Sequence, residues 1–302
     1  MRAAIIGVNG YIGQHLAYYL KQQQWEVTGY DLHSDSTLAD LNYYQLDVTS
    51  RDEVEGVDIT VDFIFYFSGI TGTIRAYDDY EQYIDVNEKG LLHVLTAVKN
   101  HGSKARIVFP STRLVYKGQE KTPLTESAVK EFKTIYSLNK WFGENILTQY
   151  SDHFNIPFTI FRICIPYASF LGKGYSYGTV GFFLNKAMKG EDISLYGNGE
   201  QRRSFTHVED ICQQIHLTLM QAQSLNEVFN IGGENFSLKE VAAAIATAYE
   251  VKLNFVPWPA ADEKLETGDT IFESTKIEKL LQFTYKHTFK SWLKELGTSI
   301  KA

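Results

Sequence analysis

Tyr136 and Lys140 stand four residues apart in Tyr136-Ser-Leu-Asn-Lys140. On a helix, positions i and i+4 lie one above the other on a single face. An ammonium beside a phenol favours the phenolate, lowering a pKa that starts near ~10. Such a tyrosine serves as a general base toward a hydroxyl or as a general acid toward a ketone. Alone, the spacing is more often an ordinary solvated helix face. A second group narrows the choice. Ser111-Thr112-Arg113-Leu114-Val115-Tyr116 directly follows a strand-like run at 106–109. In open α/β sheets, ligands bind outside the carboxyl ends of the strands. The Thr112 hydroxyl is therefore placed to bridge a substrate oxygen and the tyrosine, the alternative being a local turn-forming Ser/Thr pair.

A dinucleotide is the partner that the N-terminus suggests. Gly7-Val-Asn-Gly10-Tyr-Ile-Gly13 follows the first strand and opens the first helix. Gly7 permits the tight turn, Gly10 lets backbone approach a pyrophosphate, and Gly13 allows close helix–strand packing; the helix N-terminus favours phosphate charge. A glycine pattern alone is a weak signal, since an ordinary strand-to-helix turn needs glycine too. Asp31, 18 residues after Gly13, strengthens it. A carboxylate at the end of the second strand accepts the adenosine-ribose hydroxyls and repels a 2′-phosphate, and no arginine adjoins it, which favours NAD over NADP. Asp47, ending the third strand, either accepts from the adenine amino group or caps the next segment.

These groups need a scaffold, and the chain alternates short apolar runs with helical patterns. Strands are expected at 3–7, 26–30, 43–46, 62–66, 106–109 and 157–162, and helices at 11–23, 80–99 and 134–150. Strands so uniformly apolar suit burial on both faces of a parallel sheet. The predicted fold is α/β, a doubly wound parallel sheet with a smaller mixed α/β substrate-binding domain. Residues 1–167 form the first domain, with 205–235 returning to it; 168–204 and 236–302 form the second. Residues 168–181 read as a long loop. Beyond about residue 205 come a helix at 207–221, a strand at 227–231, a Gly-Gly turn, a helix at 237–249 and a mixed tail.

The 302 residues carry a net charge of −7, with 44% hydrophobic and 22% charged residues, as in a soluble globular protein. No basic tract points to nucleic acid. No apolar run approaches the ~20 residues that span a bilayer. Cys164 and Cys212, the only cysteines, each sit in an apolar setting and read as buried thiols of a reducing compartment. With no signal-peptide pattern at the start, a cytoplasmic location is expected. The eight histidines show no metal-ligand spacing, so no metal site is expected.

Taken in order, Gly7, Gly10, Gly13, Asp31, Asn87 (in Val-Asn-Glu-Lys-Gly), Thr112, Tyr136 and Lys140 resemble the extended short-chain dehydrogenases/reductases of nucleotide-sugar metabolism. That family includes 4-epimerases, 4,6-dehydratases and keto-sugar reductases, and the similarity spans essentially the whole chain. It implies Thr112, Tyr136 and Lys140 as a catalytic triad. It implies that NAD is held by Gly7, Asn9, Gly10, Tyr11, Ile12 and Gly13, by Asp31 and Leu32, and by Asp47 and Val48. Phe67, Ser68, Gly69 and Asn87 would border the cofactor, as would Tyr136 and Lys140, with Lys140 on the nicotinamide ribose. By the same analogy, the helices at 80–99 and 134–150 pair with their copies in a homodimer, which a monomer mass by light scattering would rule out.

The run from Ile193 to Asp210, Ile-Ser-Leu-Tyr-Gly-Asn-Gly-Glu-Gln-Arg-Arg-Ser-Phe-Thr-His-Val-Glu-Asp, is similar to the family segment that grips a nucleotide diphosphate. It implies that Tyr196 stacks on the base and Arg203 contacts the pyrophosphate, with Thr112 and Arg113 facing the sugar. Arg202 reads as a solvated surface residue, and His207 as packing or capping the next helix. Two departures stand out. Ile165 occupies a position usually held by asparagine, and Lys264-Leu-Glu-Thr-Gly-Asp269 lacks a second phosphate-binding arginine.

The resemblance also ranks the chemistries. Dehydratases carry Asp-Glu after the catalytic threonine, where this chain has Arg113 and Leu114. Leucine transfers no proton, which disfavours 4,6-dehydration. GDP-fucose synthases place a cysteine where Leu114 stands, so their two-centre chemistry is disfavoured as well. What remains is hydride transfer at C4 of a nucleotide-diphosphate sugar, a UDP-sugar first, with NAD as cofactor. A 4-epimerase is preferred; a 4-keto-sugar reductase or sugar 4-dehydrogenase is the alternative. A non-catalytic dinucleotide sensor on the same fold is the reading from another class; it would have little need for an intact Thr112/Tyr136/Lys140 set.

Overall fold

Short apolar strands joined through amphipathic helices have one efficient way to bury both sheet faces, and the chain adopts it. The computed structural model describes residues 1–171 and 177–300. In chain order, the first unit contains β1 (Arg2–Ile6), α1 (Tyr11–Gln22), β2 (Glu26–Asp31), β3 (Asn42–Gln45), α2 (Arg51–Val54) and β4 (Phe63–Tyr66). It continues with α3 (Tyr80–Ile84), α4 (Gly90–Asn100), β5 (Arg106–Thr112), α5 (Ile135–Phe154) and β6 (Phe158–Ile163). Then follow β7 (Ile165–Tyr167), α6 (Gly178–Met188), β8 (Ile193–Tyr196), β9 (Arg202–His207), α7 (Val208–Leu219) and β10 (Glu227–Ile231). The chain ends with β11 (Glu234–Ser237), α8 (Leu238–Ala248), β12 (Leu253–Val256), α9 (Ala260–Leu265), α10 (Thr275–Leu281) and α11 (Phe289–Ile300).

Seven strands form one sheet in the order β10-β6-β5-β4-β1-β2-β3. The pairings of β1 with β2 and β4, of β2 with β3, and of β4 with β5 are parallel. Strand order reverses between β1 and β4, the switch point at which open α/β sheets bind ligands. Every residue of β4 and β6 is buried. The core joins Ile6, Ile64, Ile107, Phe109 and Ile160 of the sheet to Leu91, Val94, Leu95, Val98 and Leu147 of α4 and α5. The predicted doubly wound α/β sheet is the fold observed.

Contacts divide the chain into two units: residues 1–115, 134–162 and 215–229 in one, 116–133, 163–214 and 230–302 in the other. Residues 116–133, assigned from sequence to the first domain, cluster with the second unit. Within that unit Leu124 bridges Phe272, and its amide donates to the Ile271 carbonyl at 2.7 Å. The second unit holds a β11-β9-β7 sheet and a β12-β8 pair, with α6, α8 and α11 packed in series.

Most expected elements lie within a few residues of their observed bounds, with three differences. The helix expected at 80–99 is interrupted by a π turn at Asp85–Lys89, within which the Val86 carbonyl accepts from the Tyr66 hydroxyl at 2.7 Å. The loop expected at 168–181 is shorter, since α6 starts at Gly178; its residues 172–176 lie outside those described. The mixed tail resolves into β12 and three helices, and β11 precedes α8. Cys164 and Cys212 are buried free thiols. Among the described residues, no helix is long and apolar enough to cross a membrane.

Candidate active site

The Gly7 backbone has φ +89°, a left-handed conformation that favours glycine, and a side chain there would strike the backbone of Phe67 and Ser68. A side chain on Gly13 would strike the Gly7 carbonyl, so α1 packs against the turn as closely as backbone allows. Gly10 is the N-cap of α1, a 12-residue helix with no acidic residue in its first turn. Its leading amides are those of Tyr11, Ile12 and Gly13, and Tyr11 and Ile12 are half-buried. The Asn9 amide donates to Asp31 Oδ2 at 2.9 Å, tying the turn to the end of β2. The Asn9 side chain accepts from the Thr37 amide at 2.9 Å and donates to the Asp35 carbonyl at 3.0 Å. Leu32 is exposed, with its carbonyl accepting from Gln45 Nε2 at 3.0 Å. An uncapped helix N-terminus, backbone-only walls and a carboxylate at the next strand end form a donor set that fits a dinucleotide.

Asp47 and Val48 are held by local bonds. Asp47 Oδ1 accepts from the Thr49 amide and hydroxyl, both at 2.8 Å, forming a turn; Ser50, not Asp47, caps α2. Val48 turns its side chain into the core, and its carbonyl meets His93 Nδ1 at 2.9 Å. The loop after β4, Phe67 to Ile70, is strapped by Asn87 in the π turn. Asn87 Oδ1 accepts from the Ile70 amide at 2.8 Å, and Nδ2 donates to the Ile70 carbonyl at 3.0 Å. Asn139 extends the strap, accepting from Asn87 at 3.3 Å and donating to Glu88 at 2.6 Å.

Helix α5 is built to place Tyr136 and Lys140. Thr134 caps it in a reciprocal box with Ser137, and Asn155 closes it in a left-handed conformation. Tyr136 is half-buried, whereas Lys140 is 6% exposed. The Lys140 ammonium sits 4.6 Å from the Phe109 ring centroid and 5.9 Å from that of Tyr136. A side chain on Gly69 would begin 3.8 Å from the same nitrogen and 3.1 Å from Asn87 Oδ1. The structure thus brings α5, the end of β5, the β4 loop and the π turn to one place. Burial lowers the Lys140 pKa to about 8, partly opposed by the Glu144 carboxylate. Thr112, 8% exposed, ends β5, and its hydroxyl accepts from the Leu114 amide at 3.3 Å; Arg113 is half-buried in the following turn.

Beneath these groups lies a network that the motif spacing did not reveal. Glu144, one turn beyond Lys140, accepts from Arg162 Nε at 2.9 Å and Nη2 at 2.5 Å, and from the Ser111 hydroxyl. Both charged side chains are at most 5% exposed. The i+4 step from Lys140 to Glu144 was the available signal; its partner on β6 was not.

In the second unit Tyr196 is 44% exposed and leans on Trp258, with ring centroids 5.2 Å apart. Arg202 is half-buried, pairing with Glu240 at 3.3 Å and donating to the Asn235 carbonyl at 2.8 Å. Arg203 is 1% exposed, and Nη2 meets Glu266 Oε1 at 2.5 Å. His207, Glu209 and His287 bring one ligand atom each within 4.8 Å of one another, a trio that histidine spacing did not suggest. His207 Nδ1 accepts from the Glu209 amide at 3.2 Å, a capping contact at the start of α7. The two imidazoles stack at 3.8 Å with planes 20° apart, so their in-plane lone pairs run alongside each other instead of converging as metal ligands do.

A model of the NAD-dependent epimerase/dehydratase family matches residues 3–232. The chain is 26% identical to a UDP-N-acetyl-α-D-glucosaminuronate decarboxylase of Bacillus cytotoxicus, over 97% of its own length and 96% of the relative's. It is 22% identical to a CDP-paratose 2-epimerase of Salmonella typhi, over 89% and 91%. Among solved structures, a UDP-glucose 4-epimerase of Thermotoga maritima superposes with a TM-score of 0.86 at 20% identity, covering 100% of this chain and 99% of that one. A UDP-glucuronic acid 4-epimerase of Bacillus cereus, solved with UDP-glucuronic acid and NAD, gives 0.85 at 21% identity, covering 100% and 99%. Both structural likenesses speak to the fold.

Proposed function

The chain belongs to the NAD-dependent epimerase/dehydratase family, with NAD as its cofactor, and on that premise we propose that it is a nucleotide-sugar 4-epimerase, with UDP-sugars as its first candidates. The observation that carries this reading is the buried Lys140 ammonium on α5, between the rings of Tyr136 and of Phe109 on β5. Bound NAD supplies reversible hydride exchange. In this reading the α1 N-terminus and the Gly7–Gly13 turn hold its pyrophosphate, and Asp31 holds the adenosine ribose. Lys140 holds the nicotinamide ribose, bordered by the Phe67–Gly69 loop that Asn87 straps.

The Tyr136 phenolate takes the proton of the C4 hydroxyl and later returns it to the C4 carbonyl oxygen. The Lys140 ammonium favours that phenolate. Thr112, whose oxygen already accepts from Leu114, directs its own proton toward the C4 oxygen. Arg113 and Leu114 supply no acid–base pair for removing water, which disfavours 4,6-dehydration. Tyr196, with Trp258 beside it, offers an aromatic platform for a nucleobase.

A second reading comes from the Bacillus cytotoxicus relative, named as a decarboxylase of UDP-N-acetyl-α-D-glucosaminuronate. Oxidation at C4 by the same residues would leave a β-keto acid, which loses CO2. The test is proton NMR of the purified protein with UDP-hexoses, UDP-N-acetylhexosamines and UDP-hexuronates, adding no cofactor. Appearance of the C4 epimer supports the epimerase. Conversion of a hexuronate to a pentose supports the decarboxylase. If every sugar stays unchanged, one-way transfer takes precedence, to be tried with 4-keto-6-deoxy sugars and NADH.

A further inference from the structure

We propose that Asn9 and Tyr43 are positioning residues for cofactor selectivity, clamping the loop between β2 and β3 beside Asp31 so that its acidic rim favours NAD over NADP. The inference rests on NAD being the cofactor and not on the sugar chemistry. Each polar atom of the Asn9 side chain has a partner in or beside that loop. Oδ1 accepts from the Thr37 amide at 2.9 Å, while Nδ2 donates to the Asp35 carbonyl at 3.0 Å and to the Tyr43 hydroxyl at 3.3 Å. The Tyr43 hydroxyl in turn donates to the His33 carbonyl. Tyr43 lies on β3, in register with Gly29 of β2. The backbone amide of the same Asn9 donates to Asp31 Oδ2 at 2.9 Å. One residue of the glycine-rich turn therefore fixes both the carboxylate assigned to the ribose and the loop that follows it. At the far end of the loop, Lys21 Nζ donates to the Asp40 carbonyl.

The charge of the loop gives the clamp its consequence. Residues 32–41, Leu-His-Ser-Asp-Ser-Thr-Leu-Ala-Asp-Leu, hold Asp35 and Asp40 but neither lysine nor arginine. With Oδ2 engaged, Asp31 keeps Oδ1 for a ribose hydroxyl, which can donate; a 2′-phosphate brings further negative charge instead. The Tyr43 hydroxyl lies in the field of two carboxylates. Burial pushes its pKa up, and Asp31 and then Asp35 add to the rise, against the bond from Asn9. While the loop is clamped, a 2′-phosphate meets Asp31 and Asp35 together. Once the clamp is released, Asp35 can swing away from a phosphate, and a ribose loses an ordered wall. The two cofactors share the pyrophosphate, so a general loosening of the turn weakens both alike. Only a change at the ribose end separates them.

Calorimetric titration with NAD and with NADP tests this, using the full chain stripped of carried-over nucleotide with charcoal. In Asn9→Ala the ratio of the NADP to the NAD dissociation constant is expected to fall about tenfold from wild type, the scale of a hydrogen bond lost at the ribose end. Tyr43→Phe keeps the ring and removes only the hydroxyl, and a fall of about threefold is expected. A ratio unchanged or raised in Asn9→Ala overturns the inference, even where both affinities weaken. Should Asn9→Ala fail to fold by its melting curve, Tyr43→Phe decides by the same ratio. A wild type that binds neither nucleotide overturns the NAD premise together with the inference. No sugar enters the titration, so a failure of the epimerase assay leaves this result standing, and the reverse also holds.

Discussion

Lys140 is where burial and chemistry meet most directly. The folded protein titrates this lysine at about 8 instead of 10.5, because burial penalises the ammonium more than Glu144 supports it. Between those values the folded chain holds fewer protons than the unfolded one, so Lys140 makes folding more favourable as pH rises through that window. The charged form that supports the Tyr136 phenolate in the proposed mechanism is lost over the same range. Turnover is therefore expected to fall above about pH 8, and a rate profile level to pH 10 would contradict the role given to Lys140. Replacing Tyr136 with Phe removes the proposed proton acceptor itself. The expected loss in kcat is about 10²- to 10⁴-fold with little change in melting temperature, read from initial rates and a thermal scan. At this scale the sequence was informative: the Tyr136–Lys140 step, Thr112 after its strand, and the glycines with Asp31 were visible from type and spacing. Asn139 and Trp258 were not, because neither occupies a patterned position.

At the scale of elements, α5 carries the most consequence. Its start was legible, since the Thr134 box is a local device among neighbouring residues. Its anchorage was not: Glu144 joins α5 to Arg162 of β6 and to Ser111 beside Thr112. Removing one member leaves a buried charge unmatched. Glu144→Ala is expected to cost about 3–5 kcal/mol, against about 1 kcal/mol for Thr134→Ala. Urea unfolding of both variants makes the comparison, and equal losses would show that Arg162 finds another partner. The π turn before α4 escaped the reading for a similar reason. Apolar periodicity runs through 80–99 without a break, and the Tyr66–Val86 bond at the π turn joins two separate elements.

For the molecule as a whole, cofactor binding should couple to stability, because the folded chain binds NAD and the unfolded chain has no such site. At a concentration of 100 Kd a ligand adds about 2.7 kcal/mol. A rise in melting temperature is expected with NAD and a smaller one with NADP at equal concentration, since Asp31 repels a 2′-phosphate. Equal shifts would remove Asp31 from the ribose role. The alternation of buried strands and amphipathic helices determined the α/β sheet from sequence alone, because burial on both faces leaves that pattern no other economical arrangement. The glycine-rich turn and the Tyr-Lys face were equally local, written within a few neighbouring residues. Tertiary structure alone decided that residues 116–133 cluster with the second unit and that Glu144 meets Arg162. It alone set Glu266 against Arg203, 63 positions away. Such pairs depend on which strands and loops come together, and a one-dimensional pattern does not encode that distance.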